Sequence, residues 1–195
     1  MLTFSFRLPP GPDTVRFAQL AENCGYEGVW IPDIPAFGHD IWITMSRVAE
    51  ATNRINVGAA VIIPSFRHPL AQASAIATLE ALAPGRIRIG FGTGFTGRSG
   101  LGKPPLTLRH MRRHIEQVRG LLQGDAVDIE GGLAQLLASD GWLPSRPIDV
   151  PLLVAANGPR GRQLAHEIGD GLITLGGAAS GFDVCFASVN GTVLE

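Results

Sequence analysis

The stretch that decides the fold is Ile55-Asn56-Val57-Gly58-Ala59-Ala60-Val61-Ile62, an almost continuous apolar run. A run of this length, rich in small and β-branched residues, is typical of a parallel strand that is buried on both faces. A loop that contains Pro64 follows it, and an apolar stripe with helical spacing then occupies residues 69–82. This part of the chain therefore predicts a strand, a loop and a helix in succession.

The same unit recurs on both sides of this stretch. Five further apolar runs are candidate strands, at residues 2–6, 28–31, 87–91, 152–156 and 171–175. The first four strands repeat every 25 to 30 residues or so, as in a (β/α)8 barrel. We predict an α/β fold of the (β/α)8 TIM-barrel type, incomplete, with about six βα units recognisable. An open doubly wound sheet fits the spacing almost as well, although residues 7–12 lack its G-x-G-x-x-G fingerprint.

The length of 195 residues predicts one domain, covering residues 1–195. Residues 125–150 interrupt the repeat and form either a lid or hairpin over the barrel mouth or a surface insertion. Residues 176–195 are an atypical tail with one candidate strand, at 184–189. Two more βα units would need roughly 50 to 60 residues, so we expect the chain to be short at its C-terminal end relative to a whole barrel.

Composition excludes several classes of protein. Hydrophobic residues make up 45% of the chain and charged residues 17%, which excludes intrinsic disorder. The 16 basic and 17 acidic residues provide no excess charge for binding nucleic acid. The longest apolar stretch, residues 57–63, is far shorter than the ~20 residues of a membrane helix. Two cysteines and no recognisable leader fit a cytoplasmic protein, whose expected partner is a small-molecule substrate.

Candidate site residues follow the strands, because ligands of parallel barrels bind at the C-terminal ends of the strands. Asp33 follows the second strand and could contact a cofactor ring or a substrate, or could simply cap a turn. In the loop after the fourth strand, glycines such as Gly94 permit close backbone approach, Thr93 offers a hydroxyl and Arg98 offers a partner for an anion. On its own, such a glycine-rich loop is a weak signal.

The fifth strand ends in Ala155-Ala156-Asn157-Gly158-Pro159-Arg160. A proline suits the first position of a helix, and the free N–H groups of that first turn would bind an anion. A plain capped helix start is the alternative interpretation. The histidines show no metal-ligand spacing, so no metal is predicted. His110 and His114 lie among arginines, and we predict that they face solvent.

With these loops identified, the chain resembles the bacterial luciferase-like monooxygenase superfamily, whose members use FMN or the deazaflavin coenzyme F-420 (F420). The resemblance runs from about residue 13 to residue 175 and depends on the order and spacing of several short motifs. These are Gly25-Tyr26-Glu27-Gly28-Val29-Trp30, Arg67-His68-Pro69, Ala77-Thr78-Leu79, Pro84-Gly85-Arg86, Gly90-Phe91-Gly92-Thr93-Gly94, Val154-Ala155-Ala156-Asn157-Gly158-Pro159-Arg160 and Gly169-Asp170-Gly171.

The resemblance implies a (β/α)8 barrel with the flavin lying across the strand ends. It also implies a non-proline cis peptide on the third strand, where Ala60-Val61 is the matching pair. By the same resemblance, Asp33 lies near the cofactor ring, Thr93 lies near the polar edge of the ring, and the segment from Ala156 to Arg160 binds the phosphate. We further expect an apolar wall of Ile62, Phe91 and Phe95 against the ring.

Two departures from the family pattern affect the expected chemistry. F420-dependent sugar dehydrogenases of this superfamily carry a catalytic Glu two residues after the threonine, where this chain has Phe95, and a His after the strand-two Asp, where it has Ile34. Oxidation of a sugar phosphate is therefore not expected. We predict hydride transfer between F420 and a small organic substrate, with Asp33 or His39 relaying a proton.

Two alternatives remain open from the sequence. One is an FMN-dependent monooxygenase that uses O2. The other is a non-catalytic flavin-binding or dimer-partner protein, which the short C-terminus and the missing Glu favour. Because the family often dimerises, a homodimer is a further expectation.

Overall fold

The computed structural model describes residues 3–137, 141–177 and 179–188. The strands in chain order are β1 (Ser5–Arg7), β2 (Gly28–Ile31), β3 (Asn56–Ile62), β4 (Ile87–Phe91), β5 (Val127–Ile129), β6 (Gly132–Ala134), β7 (Leu152–Ala155), β8 (Gly171–Leu175) and β9 (Cys185–Ser188). The helices are α1 (Thr14–Asn23), α2 (Ile41–Ala51), α3 (Pro69–Leu82), α4 (Phe95–Ser99), α5 (Leu108–Gln123) and α6 (Pro159–Ile168), with short 3-10 turns at Pro35–Phe37 and Pro64–Phe66. Among these described helices, none has the length and apolar character needed to cross a bilayer.

Seven of the strands form one parallel sheet in the order β1-β2-β3-β4-β7-β8-β9. Each strand pairs with the next in chain order, as the strands of a (β/α)8 barrel do. A doubly wound sheet would instead reverse its strand order at a switch point. The prediction of an incomplete TIM-barrel fold is therefore confirmed, and the open doubly wound alternative is wrong.

The predicted strands agree closely with the observed ones. Those predicted at 28–31, 87–91 and 171–175 match β2, β4 and β8 residue for residue. The first strand lies slightly later than predicted, and Met1 and Leu2 lie outside the described residues. The candidate strand at 184–189 is present as β9, the seventh strand of the sheet, although Val189 lies outside the described residues.

The helices bury one face of the sheet. Met45 of α2, Ile76 of α3 and Ile115 of α5 are fully buried and belong to the same apolar cluster as Val57 of β3 and Ile89 of β4. Burial of this kind contributes roughly 25 cal/mol for each Å² of apolar surface removed from water. This layer of helices is the main core of the described chain.

In the Pro84-Gly85-Arg86 motif, the side chain of Arg86 binds the C-terminal end of α2. The guanidinium of Arg86 donates hydrogen bonds to the carbonyl oxygens of Ala49 at 2.8 Å and Ile55 at 3.1 Å, and to the hydroxyl of Thr52 at 3.0 Å. The last carbonyls of a helix have no partner within the helix. Arg86 therefore closes the end of α2 and fixes the loop that leads into β3.

The Gly169-Asp170-Gly171 motif also has a structural role. The carboxylate of Asp170 accepts hydrogen bonds from the backbone N–H of Leu152 at 2.7 Å and from the guanidinium of Arg119 at 2.9 Å. Arg119 also donates to the carbonyl oxygen of Ile168 at 3.0 Å. Asp170 thus joins the start of β7 to α5 and to the end of α6.

Residues 125–150 contain an antiparallel hairpin of β5 and β6, outside the main sheet. The side chain of Gln117 on α5 donates to the carbonyl oxygen of Asp128 at 2.9 Å, and Arg113 forms an exposed ion pair with Asp128 at 3.8 Å. A connection from a helix to a parallel strand lies at the N-terminal edge of the sheet, opposite to the mouth. The interpretation of this segment as a lid or as a surface insertion stays a prediction; residues 138–140 lie outside the description.

Candidate functional site

The loops that follow the strands meet at the C-terminal edge of the sheet, which we call the mouth. Asp33 lies there, two residues after β2, and is only 7% exposed. Its carboxylate accepts a long hydrogen bond from the backbone N–H of Ile63, at 3.4 Å, at the end of β3. A buried carboxylate is thus held between the ends of two neighbouring strands.

The proton affinity of Asp33 is unusual. Burial raises the pKa of its carboxyl to about 6, and the negative charge of Asp40 acts in the same direction. The hydrogen bond from Ile63 and the positive charge of Arg67 lower the pKa but do not offset the loss of water. Both protonation states of Asp33 are therefore populated near neutral pH, as general acid–base chemistry requires.

His39, the other predicted proton relay, lies in an exposed loop before α2. None of the hydrogen bonds found among the described residues joins it to Asp33. The next residue, Asp40, caps α2 through the N–H groups of Trp42 and Ile43, and pairs with Arg67 at 2.6 Å. The structure thus brings Asp40 and Arg67 to the mouth beside Asp33, whereas the role of His39 stays a prediction.

The peptide bond between Ala60 and Val61 is cis, as the resemblance implied. The pairing of β3 with β4 shifts its register between Ala60 and Ile62, so the strand bulges at this bond. The side chain of Val61 lies beside Gly92, where an added Cβ would come within 2.5 Å of it. The binding of a cofactor ring at Ala60 and Val61 stays a prediction.

The expected apolar wall of Ile62, Phe91 and Phe95 is wrong for two of its three members. Ile62 and Phe91 are completely buried in the core under the helices, where the ring of Phe91 lies 6.0 Å from that of His114. Phe95, by contrast, is 80% exposed. Alternation along a strand explains the error, because a side chain that faces the helices cannot also face the opposite side of the sheet.

The loop after β4 is held by hydrogen bonds. The carbonyl oxygen of Thr93 accepts from the N–H of Leu106 at 2.8 Å, and Gly94 takes φ +79° where α4 begins. The guanidinium of Arg98 donates to the hydroxyl of Ser65 and to the carbonyl oxygen of Pro104, both at 2.6 Å. Arg98 therefore joins the loops after β3 and β4, and its predicted role as an anion partner stays untested, as do those of Thr93 and Gly94.

The segment after β7 offers a set of free donors. Helix α6 begins at Pro159, and its N-cap residue, Gly158, provides no side chain to cap it. The first hydrogen bond of the helix runs from the N–H of Arg162 to the carbonyl oxygen of Gly158 at 3.0 Å. The N–H groups of Arg160 and Gly161 precede it and have no partner within the helix. Free N–H groups and the positive end of the helix dipole together bind anions such as phosphate.

Asn157 and Ala156 hold the loop that precedes α6 in place. The side-chain oxygen of Asn157 accepts hydrogen bonds from the hydroxyl of Thr174 at 3.0 Å and from the N–H of Leu175 at 2.8 Å, which ties the loop to β8. The side chain of Ala156 lies where a Cβ on Gly161 would meet it at 2.7 Å. These two residues thus position the first turn of α6, and contact of either with an anion or a cofactor stays a prediction.

The structure corrects the prediction for His114. Its side chain is 4% exposed and forms a hydrogen bond with the side-chain oxygen of Gln72 on α3, which is fully buried. Burial lowers the pKa of His114 to about 4, and His110 and His68 add to this effect. A sequence signal was available, because His114 lies three residues after Met111 and four before Val118, on the apolar stripe of α5. His110 is exposed, as predicted.

A shallow depression also lies beside β1, lined by Thr3, Phe4, Cys24, Gly25, Tyr26 and Glu27. These residues precede β2 or begin the chain, so the depression is at the N-terminal edge of the sheet. None of the predicted site residues contributes to it. The depression therefore does not coincide with the candidate site at the mouth.

The sequential parallel sheet, with its bulge in β3 and its uncapped helix after β7, defines a partial barrel of the (β/α)8 type. The chain belongs to the luciferase-like monooxygenase family, whose model matches residues 7–189. It is 28% identical, over 195 residues, to a 5,10-methylenetetrahydromethanopterin reductase of Methanolobus tindarius, covering 96% of this chain and 58% of the relative. It is 35% identical, over 183 residues, to an F420-dependent glucose-6-phosphate dehydrogenase of Amycolatopsis mediterranei, covering 86% of this chain and 54% of the relative.

The fold comparison agrees with this assignment. The structure of the coenzyme F420-dependent tetrahydromethanopterin reductase from Methanopyrus kandleri matches with a TM-score of 0.73 and 28% identity, covering 91% of this chain and 56% of that one. The chain thus spans little more than half the length of the relatives it matches.

Proposed function

We propose that this chain contributes the cofactor-binding part of an oxidoreductase that transfers a hydride between F420 and a small organic substrate. One observation carries the proposal: a buried carboxyl group, Asp33, and an uncapped helix start at Gly158 lie at the same edge of one parallel sheet. The names of the relatives given above favour F420 as the cofactor.

The residues at the start of α6 fit the phosphate that F420 and FMN both carry. An added Cβ on Gly158 would meet nothing within 4 Å, so the space in front of the helix is open. The N–H groups of Arg160 and Gly161 supply donors, and the side chain of Arg160 is exposed beside them. This donor set accepts either cofactor and does not select between them.

Asp33 would accept and donate the proton of the reaction. A bound deazaflavin supplies hydride exchange at its ring. Oxidation of an alcohol also releases a hydroxyl proton, and reduction of a carbonyl consumes one. With a pKa of about 6, Asp33 accepts a proton as carboxylate and returns it as carboxylic acid near neutral pH. Asp40 and Arg67 then set the charge that Asp33 experiences.

The experiment is a titration of the purified chain with F420 and, separately, with FMN, followed by cofactor fluorescence and thermal unfolding. At a free F420 concentration of 100 times Kd, we expect a stabilisation of about 2.7 kcal/mol. Arg160→Glu should weaken the binding of F420, whereas the matched charge reversal Arg16→Glu, at an exposed position of α1, should not. Protection by FMN alone would replace F420 by FMN in the proposal, and protection by neither would refute cofactor binding.

A further inference from the structure

The indole N–H of Trp30 is a buried donor without an acceptor. Trp30 is 7% exposed, and its Nε1 atom has no hydrogen-bond partner among the residues that the structure describes. A buried indole N–H usually finds an acceptor, because an unpaired donor that has been removed from water is costly. An acceptor from outside the described residues would satisfy this group.

Trp30 faces the inner side of the curled sheet, away from the helices. Its neighbours in β2, Val29 and Ile31, belong to the apolar cluster under the helices, and side chains alternate along a strand. The six-membered ring of the indole covers Gly58 of β3, where an added Cβ would lie 2.3 Å from the Cε3 atom. The N–H is at the opposite edge of the indole, so it points away from Gly58.

A cation lies beside Trp30 on the neighbouring strand. Arg7 of β1 is the register partner of Trp30, so both side chains project from the same face of the sheet. Because β1 and β3 flank β2 on opposite sides, an N–H that points away from β3 lies on the side of Arg7. Arg7 is exposed, and none of the ion pairs found within the described ranges involves it.

The carboxylates that flank β2 are engaged elsewhere. Glu27, just before β2, accepts a hydrogen bond from the side chain of Asn56 at 2.8 Å. Asp33, two residues after β2, accepts a hydrogen bond from the backbone N–H of Ile63 at 3.4 Å. Arg7 and Trp30 therefore offer a positive charge and a free N–H side by side.

A seam of the sheet gives access to these two donors. β1 and β9 are the first and last strands of the sheet, and no strand within the described part of the chain joins them. Phe186 of β9 contacts the ring of Trp30 and is itself only partly buried, so the cover over the indole is a side chain of an edge strand. A small ligand can therefore approach Arg7, and Trp30 beyond it, through this seam.

We infer that Arg7 and Trp30 form a binding site for the carboxylate group of a small organic acid. The guanidinium of Arg7 would donate to one carboxylate oxygen, and the indole N–H of Trp30 would donate to the other. The ligand would thereby neutralise the charge of Arg7 and satisfy the buried N–H. The inference goes beyond the proposed function, since neither residue is assigned there to the cofactor or to the proton.

The test follows the indole N–H signals of the isotope-labelled chain by NMR during a titration with acetate, without any cofactor. The tryptophans are Trp30, Trp42 and Trp142, and Trp30→Phe assigns the signal of Trp30. We expect acetate to shift this signal downfield to saturation, whereas acetamide, which has a similar shape but no charge, should not. Arg7→Gln should weaken the binding of acetate at least about tenfold. The matched control Arg47→Gln, at an exposed position of α2, should leave the binding unchanged.

Other outcomes would overturn the inference. A Trp30 signal that does not respond to acetate, in a chain whose buried Trp42 shows the signal of a folded protein, would refute the site. An equal shift with sodium chloride at the same ionic strength would show that only charge screening is observed. Unchanged binding of acetate by Arg7→Gln would remove Arg7 from the site. Because no F420 is present, these outcomes are independent of the cofactor titration that tests the proposed function.

Discussion

The rings of Trp30 and Phe186 lie 4.3 Å apart, centre to centre, although their strands, β2 and β9, are separated by four other strands of the sheet. In a flat sheet with strands ~4.8 Å apart, two such strands would be about 24 Å from each other. The contact therefore shows that the sheet curls strongly, as in a barrel. Trp30 is 7% exposed as a result, and it packs across the inner side of the curl.

Removal of this contact should destabilise the chain. We expect Phe186→Ala to lower the free energy of unfolding by about 2 kcal/mol, less than a fully buried phenylalanine because Phe186 is only partly buried. Urea titration followed by tryptophan emission checks the prediction, and the emission should also shift to the red as Trp30 meets water. Phe4→Ala is the control, since Phe4 is 69% exposed and its loss should change stability by less than about 0.5 kcal/mol. Equal effects of the two changes would contradict the curled arrangement.

Because Gly90 has no side chain, neighbouring groups pack closely against it on the inner side of the sheet. A Cβ at this position would come within 2.3 Å of Ile173 and 2.7 Å of the carbonyl oxygen of Ala59, and the backbone oxygen cannot move away cheaply. We expect Gly90→Ala to destabilise the chain by roughly 1 to 3 kcal/mol in a urea titration. Gly132→Ala, whose Cβ would meet only the carbonyl oxygen of Ile129 at 3.8 Å, should be nearly neutral. A neutral Gly90→Ala would refute close packing on this side.

The buried carboxyl of Asp33 should make stability fall as pH rises. Its pKa is about 6 in the folded chain and near 3.8 in the unfolded chain, so the folded state binds more protons between these values. The contribution of Asp33 to the free energy of unfolding is therefore largest below pH 3.8, and it is lost as the pH rises from 3.8 through 6. Asp33→Asn, which cannot ionise, should therefore stabilise the chain at pH 8 by on the order of 2 kcal/mol.

Unfolding of the Asp33→Asn variant and of the unmodified chain at about pH 8, 6 and 4.5 measures this effect. Asp183→Asn, at an exposed carboxylate, is the matched control and should leave the pH dependence unchanged. The change in the free energy of unfolding between about pH 4.5 and pH 8 should differ between the two chains. The same change in both chains would show that the carboxyl of Asp33 is not desolvated.

The buried ring of His114 should make stability fall as the pH decreases, which is opposite to the effect of Asp33. Its pKa is about 4 in the folded chain and near 6.5 in the unfolded chain, so the unfolded state binds more protons between these values. Stability should therefore fall by roughly 2 kcal/mol between pH 7 and pH 5 through this group. His114→Gln removes the titrating ring and should flatten this part of the profile, even though it also lowers stability at pH 7. His39→Gln, at an exposed histidine, should leave the profile unchanged, and equal profiles for all three chains would contradict the burial of His114.

Much of the fold could be predicted because its signals are local. Apolar runs followed by proline or glycine mark the ends of β2, β4 and β8, and the regular repeat predicts their parallel order. The candidate site was located for the same reason, since the residues that follow parallel strands must meet at one edge. Asp33 is buried at that edge, and the helix after β7 starts without a side-chain cap.

The remaining features depend on partners that are distant in the sequence. The side chain of Arg98 has the charge of an anion ligand, and its Nε and Nη1 groups donate to Pro104 and Ser65, which lie in two different loops. The apolar stripe of α5 indicates that His114 is buried, but its hydrogen-bond partner, Gln72, lies 42 residues away. Composition and spacing carry no information about such pairings.

The sequence by itself determined the alternation of strands and helices, the parallel pairing of the strands and the edge at which the loops after them meet, because each depends on the period of apolar residues and on turn chemistry along the chain. Only the tertiary structure decided which side chains are buried at that edge and which remain free. The pKa of Asp33, the engagement of Arg67 and the exposure of Phe95 all follow from contacts between loops, which form only when the sheet curls and brings them together.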